Sequence, residues 1–320
     1  MNMPKYKCLN YLYLVNAKTN LDGKLYLLEH MQNKADELIK IQRDNTVIRK
    51  LHFLQLDIIA KLCYVIEDYL YLQYLIRTDA EKIYKEIVRN TTKWANDEAV
   101  FIEKKLKNSD IQKIYCFPSI AAIDLSKEEK NILREVIQAE ISFHRRNMKE
   151  IGSFWNRHRK IYNIYKHGCS IVTGMIDQID VNKPSHFYAR GKEGKNIKTY
   201  MIESSDRIFT NYDEMRMKIH AEYNSLALNN ETKIINRGKP YLPNLYCSNE
   251  SNKSNKTVEI GKRINKNILS PAEVNILVEI KETALKKFRG KSNYYIVPIK
   301  KDIMFSHKGK IETNRTKKAE

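Results

Sequence analysis

Residues 45–77, NTVIRKLHFLQLDIIAKLCYVIEDYLYLQYLIR, decide the fold class. Their apolar side chains recur at steps of three and four residues, which is the spacing of one face of an α-helix. These apolar positions are Ile48, Leu51, Leu54, Ile58, Leu62, Val65, Tyr69, Leu72 and Leu75. A helix of this length would extend about 48 Å at about 1.5 Å per residue. The stretch therefore predicts a helix long enough to form the centre of a helical domain.

Helical periodicity continues on both sides of this stretch. It predicts a helix over residues 24–44 before it, and shorter helices over residues 79–89 and 93–107 after it. Glycine and proline, at 10 and 7 residues, are scarce in the whole chain. This scarcity argues against a β-sandwich or barrel, which needs many tight turns, and favours long helices.

A capping pattern marks the start of the next long helix. Ser126 and Glu129 have the Ser-x-x-Glu spacing in which the serine hydroxyl and the glutamate each satisfy a free backbone N–H. A helix is therefore expected from this point to about residue 150. The segment 154–168, FWNRHRKIYNIYKHG, is either a further helix or a continuation of the same one past Gly152. It ends at a glycine, the residue that most often follows the end of a helix.

The pattern changes after residue 168. Short extended segments fill residues 170–203, two of them joined by the turn-like GKEGKN, and a helix resumes near Ser205. The predicted fold class is mainly α, with an N-terminal bundle of long antiparallel helices followed by a smaller α+β region that contains a short β-hairpin. The predicted divisions are a helical bundle domain over 1–168, an α+β region with hairpin and helix over 169–246, a polar linker or loop over 247–267, and a basic C-terminal helix, short strand and tail over 268–320.

The chain is strongly basic. It has 57 Lys and Arg against 38 Asp and Glu, a net charge of +19 and a pI of about 9.5. Such an excess attracts RNA or another anionic partner over long distances, although it specifies no site. The C-terminal residues 251–320 hold 17 of the cations and 7 of the carboxylates, as in a basic arm or docking surface. The alternative is that the charge only keeps the protein soluble.

Several classes of protein and of site are excluded by the sequence. The most hydrophobic stretch, residues 51–76, is interrupted by charged side chains, so no membrane partner is expected. The five cysteines are single and odd in number, which favours reduced thiols and a cytoplasmic protein over a disulfide framework or a zinc site. The chain contains no phosphate loop, no dinucleotide-binding glycine pattern, no H-E-x-x-H and no G-x-S-x-G. No cofactor or metal site is predicted.

One segment carries a set of side chains that suits RNA cleavage. Trp155, Arg159, Asn163 and His167 follow one another at steps of four residues and would share one face of a helix. His167 could transfer a proton near neutral pH, Asn163 could orient the 2′-hydroxyl, and Arg159 could stabilise the developing negative charge. The structural alternative is that Trp155 belongs to the core and that the amide and imidazole form hydrogen bonds at the helix end.

A second group of residues lies earlier on the predicted helical tract. His144, Arg145 and Arg146 are adjacent in the sequence. We expect these three side chains to add positive charge near the candidate site.

Long helices followed by Asn163-x-x-x-His167 resemble the HEPN superfamily (higher eukaryotes and prokaryotes nucleotide-binding). The resemblance covers about residues 24–168 and implies a helical bundle, often a metal-independent ribonuclease or a nucleic-acid-associated partner, and often a homodimer. The family motif is Arg-Asn-x-x-x-His. Tyr162 stands where the family has its arginine, and Arg159, one turn earlier, could reach the same space. Branches of the family that lack the motif serve as binding or dimerisation modules.

Two functions therefore remain open from the sequence. The first is a nucleic-acid-associated, HEPN-like protein that binds RNA and, if it is an enzyme, acts as a metal-independent endoribonuclease. In that function His167 transfers the proton, Asn163 orients the substrate and Arg159 stabilises the phosphate. The second is a non-catalytic helical scaffold that docks an anionic or protein partner through its basic C-terminal part.

Overall fold

The computed structural model describes residues 5–41, 45–79, 83, 92–166, 171–174, 187–193, 196–202, 205–235, 303–305 and 311–313. Six helices carry the fold within these residues. They are α1 (Lys5–Lys40), α2 (Asn45–Asp79), α3 (Thr92–Lys104), α4 (Asn108–Ile114), α5 (Lys127–Lys166) and α6 (Ser205–Ile235), and a single 3₁₀ turn, Ile120–Ala122, precedes α5. None of the helices in the described segments combines enough length with enough apolar character to cross a bilayer.

Short strands are described through the pairing of their backbones. Their bounds are β1 (Ile171–Gly174), β2 (Phe187–Glu193), β3 (Asn196–Ile202), β4 (Ile303–Phe305) and β5 (Ile311–Thr313). β2 pairs antiparallel with β1 on one side and β3 on the other, and β4 pairs antiparallel with β5.

The predicted fold class is wrong in its second part. Of the residues whose side chains are described, 92% are helical and none lies in a strand, so no α+β region with a β-hairpin is seen among them. The packed fold is a helical bundle. The physical reason is that α6, which the prediction assigned to the α+β region, has an apolar face that the long helices cover.

Helix α2 is the centre of the bundle, as residues 45–77 predicted. It packs against α1, α3, α4, α5 and α6. A helix surrounded in this way must be apolar on most of its circumference. Accordingly, its largest fully buried side chains point in several directions, and they are Ile58, Ile59, Leu62, Ile66, Tyr69, Leu70, Tyr71 and Leu72.

Helix α1 begins earlier than expected, at Lys5 instead of residue 24. Leu14, Ala17 and Leu21 are buried and continue the stripe formed by Leu25 and Leu28. These positions follow the three-and-four spacing of a helix face, so the N-terminal part of the chain packs on the bundle in the same way as the part that was predicted.

Helix α6 completes the bundle. It packs against α1, α2 and α5, and Ile219, Tyr223 and Leu226 lie in the common core. Ion pairs hold its outer edges: Arg216 lies 3.2 Å from Glu29 of α1, and Lys218 bonds Glu150 of α5.

Helix α5 runs without a break through Gly152, so the continuous-helix alternative is correct. Its start is the predicted capping box: Ser126 N–H donates to Glu129 at 3.0 Å, and Glu129 N–H donates to the Ser126 hydroxyl at 3.3 Å. Gly152 is where α5 approaches α3, since a Cβ built there would lie 3.6 Å from Ile102. The 40 residues of α5 extend about 60 Å at about 1.5 Å per residue.

Some predictions fall outside the described residues. These include the helix end at Gly168, the linker over 247–267, and most of the C-terminal segment 268–320, of which only the β4 and β5 backbones are described. In the predicted helix over 79–89, only Asp79, the last residue of α2, and Ile83 are described, and Ile83 is helical and buried.

Candidate nucleic-acid interface

Charge is distributed unevenly along α5. Residues 127–141 contain three Lys or Arg and four Glu, whereas residues 142–166 contain seven Lys or Arg and one Glu. The single carboxylate of residues 142–166, Glu150, bonds Lys218 of α6. Residues 142–166 are therefore strongly basic, and their one acid is paired.

Four of these cations form one exposed line, which we call the basic stripe. It consists of Arg146, Lys149, Arg157 and Lys160, all exposed. Successive members are three, eight and three residues apart, and exposed Ser153 lies midway in the longer gap, so the set follows one face of the helix. The stripe contains no carboxylate and extends about 21 Å at about 1.5 Å per residue.

Two hydrogen-bonded pairs flank the basic stripe. On one edge, Asn156 donates to Glu103 of α3 at 3.3 Å. On the other edge lies the pair of Glu150 and Lys218. These carboxylates lie beside the line of cations, and each has a described partner.

The side of α5 that faces α3 is fixed to that helix through one amide. The side-chain oxygen of Asn96 accepts a hydrogen bond from Trp155 Nε1 at 2.9 Å and another from Arg159 Nη1 at 3.0 Å. Trp155 is fully buried, while Arg159 is half-buried. Because these contacts set the rotation of α5 about its axis, they also determine that the basic stripe faces solvent.

A second anchor joins the end of α5 to α2. The Tyr162 hydroxyl donates to Glu67 Oε2 at 2.7 Å, and Lys166 Nζ lies 3.5 Å from the same oxygen. Burial is the main cause that raises the pKa of Tyr162, and the Glu67 carboxylate raises it further. Tyr162 is thus a buried, neutral hydroxyl that packs α5 against α2.

The structure brings some of the predicted site residues together and leaves one undescribed. Arg159 and Asn163 are both half-exposed and lie one turn apart beside the basic stripe. Trp155 belongs to the core, as the structural alternative proposed. His167 lies outside the described residues, because the described part of α5 ends at Lys166.

The expectation that His144 adds surface charge is wrong. His144 is 2% exposed and stacks on Tyr115 with ring centroids 3.9 Å apart. It sits at the position where the buried stripe of α5 continues from Ile141 to Met148. The three-and-four spacing of Ile141, His144 and Met148 could have predicted that His144 is buried. The two arginines that follow it in the sequence suggested an exposed position instead.

His144 belongs to a buried polar group that sequence reasoning missed, which we call the Glu222 cluster. Glu222 of α6 is fully buried, and its carboxylate accepts the Tyr115 hydroxyl at 2.5 Å and the Asn147 amide at 2.7 Å. His144 Nδ1 lies 2.8 Å from the same carboxylate. The outer members are Tyr69, whose hydroxyl is 3.1 Å from that of Tyr115, and Glu140, which is 4.0 Å from His144 Nε2.

Burial alters the acid–base properties of the Glu222 cluster. Desolvation raises the pKa of Glu140 to about 7, an effect that His144 opposes and Glu222 reinforces. Desolvation and Glu222 raise the pKa of Tyr115 as well. No sequence signal distinguished Glu222 from the other glutamates of α6, because its partners come from elements 75 to 107 residues away.

Within the described segments, no three His, Cys, Asp or Glu side chains are arranged to hold a metal ion. No protein-family model matches the chain, and neither a curated protein nor a solved structure matches it.

Proposed function

We propose that this protein binds RNA through the basic stripe of α5, with Arg159 and Asn163 contacting the nucleic acid at the edge of the stripe. The observation that carries the proposal is the line of four exposed cations without a carboxylate among them. Cations arranged in this way neutralise successive phosphates and release the counterions condensed on the nucleic acid. The Asn163-x-x-x-His167 resemblance favours RNA as the polyanion.

The test compares two double variants of the full chain that remove equal charge from the same helix. The stripe variant carries Arg157→Gln and Lys160→Gln, which remove half of the stripe. The control variant carries Lys127→Gln and Arg134→Gln, which remove one lysine and one arginine from the other end of α5. Binding of a fluorescent single-stranded RNA is measured by anisotropy over a range of salt concentrations. The stripe variant should bind more weakly, with a slope of log affinity against log salt reduced by about 0.7 for each lost phosphate contact.

The control variant should bind RNA nearly as the wild-type protein does. Equal weakening by both variants would mean that only net charge matters, and the stripe would then not be the interface. If the wild-type protein does not bind RNA, the proposal is wrong, and the scaffold that docks a protein partner becomes the better hypothesis.

Cleavage of the bound RNA is the more specific form of this proposal. Arg159 uses one guanidinium nitrogen on Asn96, and a guanidinium has five N–H donors in total, so donors remain for a phosphate. Asn163 is half-exposed one turn further along. In this form of the proposal His167 is the proton-transfer residue and no metal takes part.

Incubation of the labelled RNA with protein in EDTA tests cleavage separately from binding. The wild-type protein should cleave the RNA, and His167→Ala should abolish cleavage while it leaves RNA affinity and melting temperature nearly unchanged. Binding without cleavage by the wild-type protein would reject the ribonuclease and retain the RNA-binding function. A large fall in melting temperature for His167→Ala would instead assign the imidazole to packing.

A further inference from the structure

The Glu222 cluster connects α6 to the rest of the bundle through a single carboxylate. Glu222 is the member that α6 supplies, and its partners lie on α5 and just after α4. A fully buried carboxylate needs all of these donors, because an unsatisfied charge in the core is strongly unfavourable. The attachment of α6 therefore depends on which groups of this cluster are protonated.

His144 lies between two carboxylates. Its Nδ1 faces Glu222 of α6 and its Nε2 faces Glu140 of its own helix, 4.0 Å away. From the remaining elements it meets the Tyr115 ring, and Tyr69 of α2 adjoins Tyr115. The other rings around it, Phe117 and Phe143, carry no charge.

Another buried carboxylate, that of Glu98 on α3, raises the pKa of Tyr69 and is itself paired with Arg77. Glu140 and Glu222 lie on either side of His144 in the core, so a proton on Glu140 relieves the repulsion between the two carboxylates.

We propose that the Glu222 cluster is a proton-dependent latch, which holds α6 while Glu140 carries a proton and loosens α6 when that proton is lost as the pH rises. The sign follows from Glu140. Burial raises its pKa to about 7, so the docked state binds more protons than the undocked state between the two pKa values. Its stabilisation is complete below the ordinary glutamate pKa and is lost as the pH rises through about 7.

A natural reporter of the docking lies next to the Glu222 cluster, in the same interface. The Cys116 thiol donates to Asn230 Oδ1 of α6 at 3.4 Å, and Asn230 Nδ2 donates to the carbonyl of Ile114 at 3.0 Å. Burial raises the pKa of Cys116 to about 11, against an opposing effect of Lys233. Undocking of α6 would expose this thiol, whereas Cys63 in α2 is fully buried and would react only if the whole bundle unfolded.

The experiment measures alkylation rates at individual cysteines in the full chain by mass spectrometry. The wild-type protein and Glu140→Gln are labelled with iodoacetamide from pH 6 to pH 8. At each pH the Cys116 rate of the wild type is divided by that of the variant. Because the thiol ionises in the same way in both proteins, its effect on the rate cancels in this ratio. The ratio of wild type to variant should rise about tenfold over this range, as expected for a carboxyl whose pKa changes from about 4.5 to about 7 on docking. Glu135→Gln, which changes an exposed carboxylate of the same helix, should behave as the wild type.

Two results would overturn the latch. One is a Cys116 ratio that does not change with pH, and the other is a Cys63 rate that rises in step with Cys116, which would mean unfolding of the whole bundle. If Glu140→Gln does not fold, the wild-type protein alone can test the latch. Hydrogen exchange of α6 amides is then compared with that of α2 amides at pH 6 and at pH 8. Protection of α6 should fall relative to α2 as the pH rises, and constant relative protection contradicts the proposal.

Discussion

At position 162 a tyrosine hydroxyl meets the buried carboxylate of Glu67. We expect Tyr162→Phe to lower the free energy of unfolding by about 1.5 to 3 kcal/mol, because Glu67 loses its short hydrogen bond and keeps only the longer contact to Lys166. Urea unfolding followed by circular dichroism measures the change.

Tyr165→Phe is the matched control for this substitution. Tyr165 also donates to a carboxylate, that of Asp57, but it is partly exposed. Water can replace the lost hydrogen bond, so the loss should stay below about 1 kcal/mol. Equal losses for the two variants would show that the Tyr162 contact is no stronger than a surface hydrogen bond.

At the level of single residues, the sequence predicted the positions of Arg159 and Asn163 better than their surroundings. The four-residue spacing placed both on one side of α5, and both are half-exposed there. The partner of Arg159, Asn96, and the partner of Tyr162, Glu67, are 63 and 95 residues away. Periodicity within one helix contains no information about such partners, so these contacts could not be predicted.

Helix α5 contains a glycine at its centre that can be tested. A Cβ at Gly152 would make ordinary contacts, 3.6 Å from Ile102 and 3.9 Å from the carbonyl of Ala99. Gly152→Ala should therefore raise the free energy of unfolding by about 0.5 to 1 kcal/mol, since alanine restricts the unfolded chain and favours the helix.

Gly23→Ala in α1 provides the comparison, because a Cβ there meets nothing within 4 Å. Gly23→Ala should raise the free energy of unfolding only through the higher helix propensity of alanine. Chemical unfolding of both variants separates propensity from packing. Destabilisation by Gly152→Ala together with stabilisation by Gly23→Ala would mean that α3 and α5 cannot accommodate the added methyl group.

At the level of elements, the sequence predicted α2 and α5 well and misassigned the environment of α6. Long apolar stripes identify helices, but they do not identify which helices pack together. Tyr212, Ile219 and Tyr223 give α6 a buried face, and that face packs on α1 and α2, which precede it by more than 120 residues. Extended segments separate α6 from α5 in the sequence, and for this reason the sequence pattern predicted that α6 belongs to a separate α+β region.

For the whole molecule, the net charge of +19 predicts a response to salt. Like charges repel more strongly in the compact state than in the unfolded chain, and salt screens them. Raising sodium chloride from about 0.05 M to about 0.5 M, where the screening length falls well below 10 Å, should raise the melting temperature. Differential scanning calorimetry at the two concentrations checks this. A lower melting temperature at high salt would show that the ion pairs between helices outweigh the repulsion.

The uneven charge along α5 also affects how the molecule would approach a polyanion. Residues 142–166 carry seven cations and one carboxylate, whereas residues 127–141 carry three cations and four carboxylates, along a rod of about 60 Å. Such a rod has a permanent electric dipole, and the field of a nearby polyanion exerts a torque on it. A polyanion would thus turn residues 142–166 of α5 toward itself while the bundle is still in diffusion.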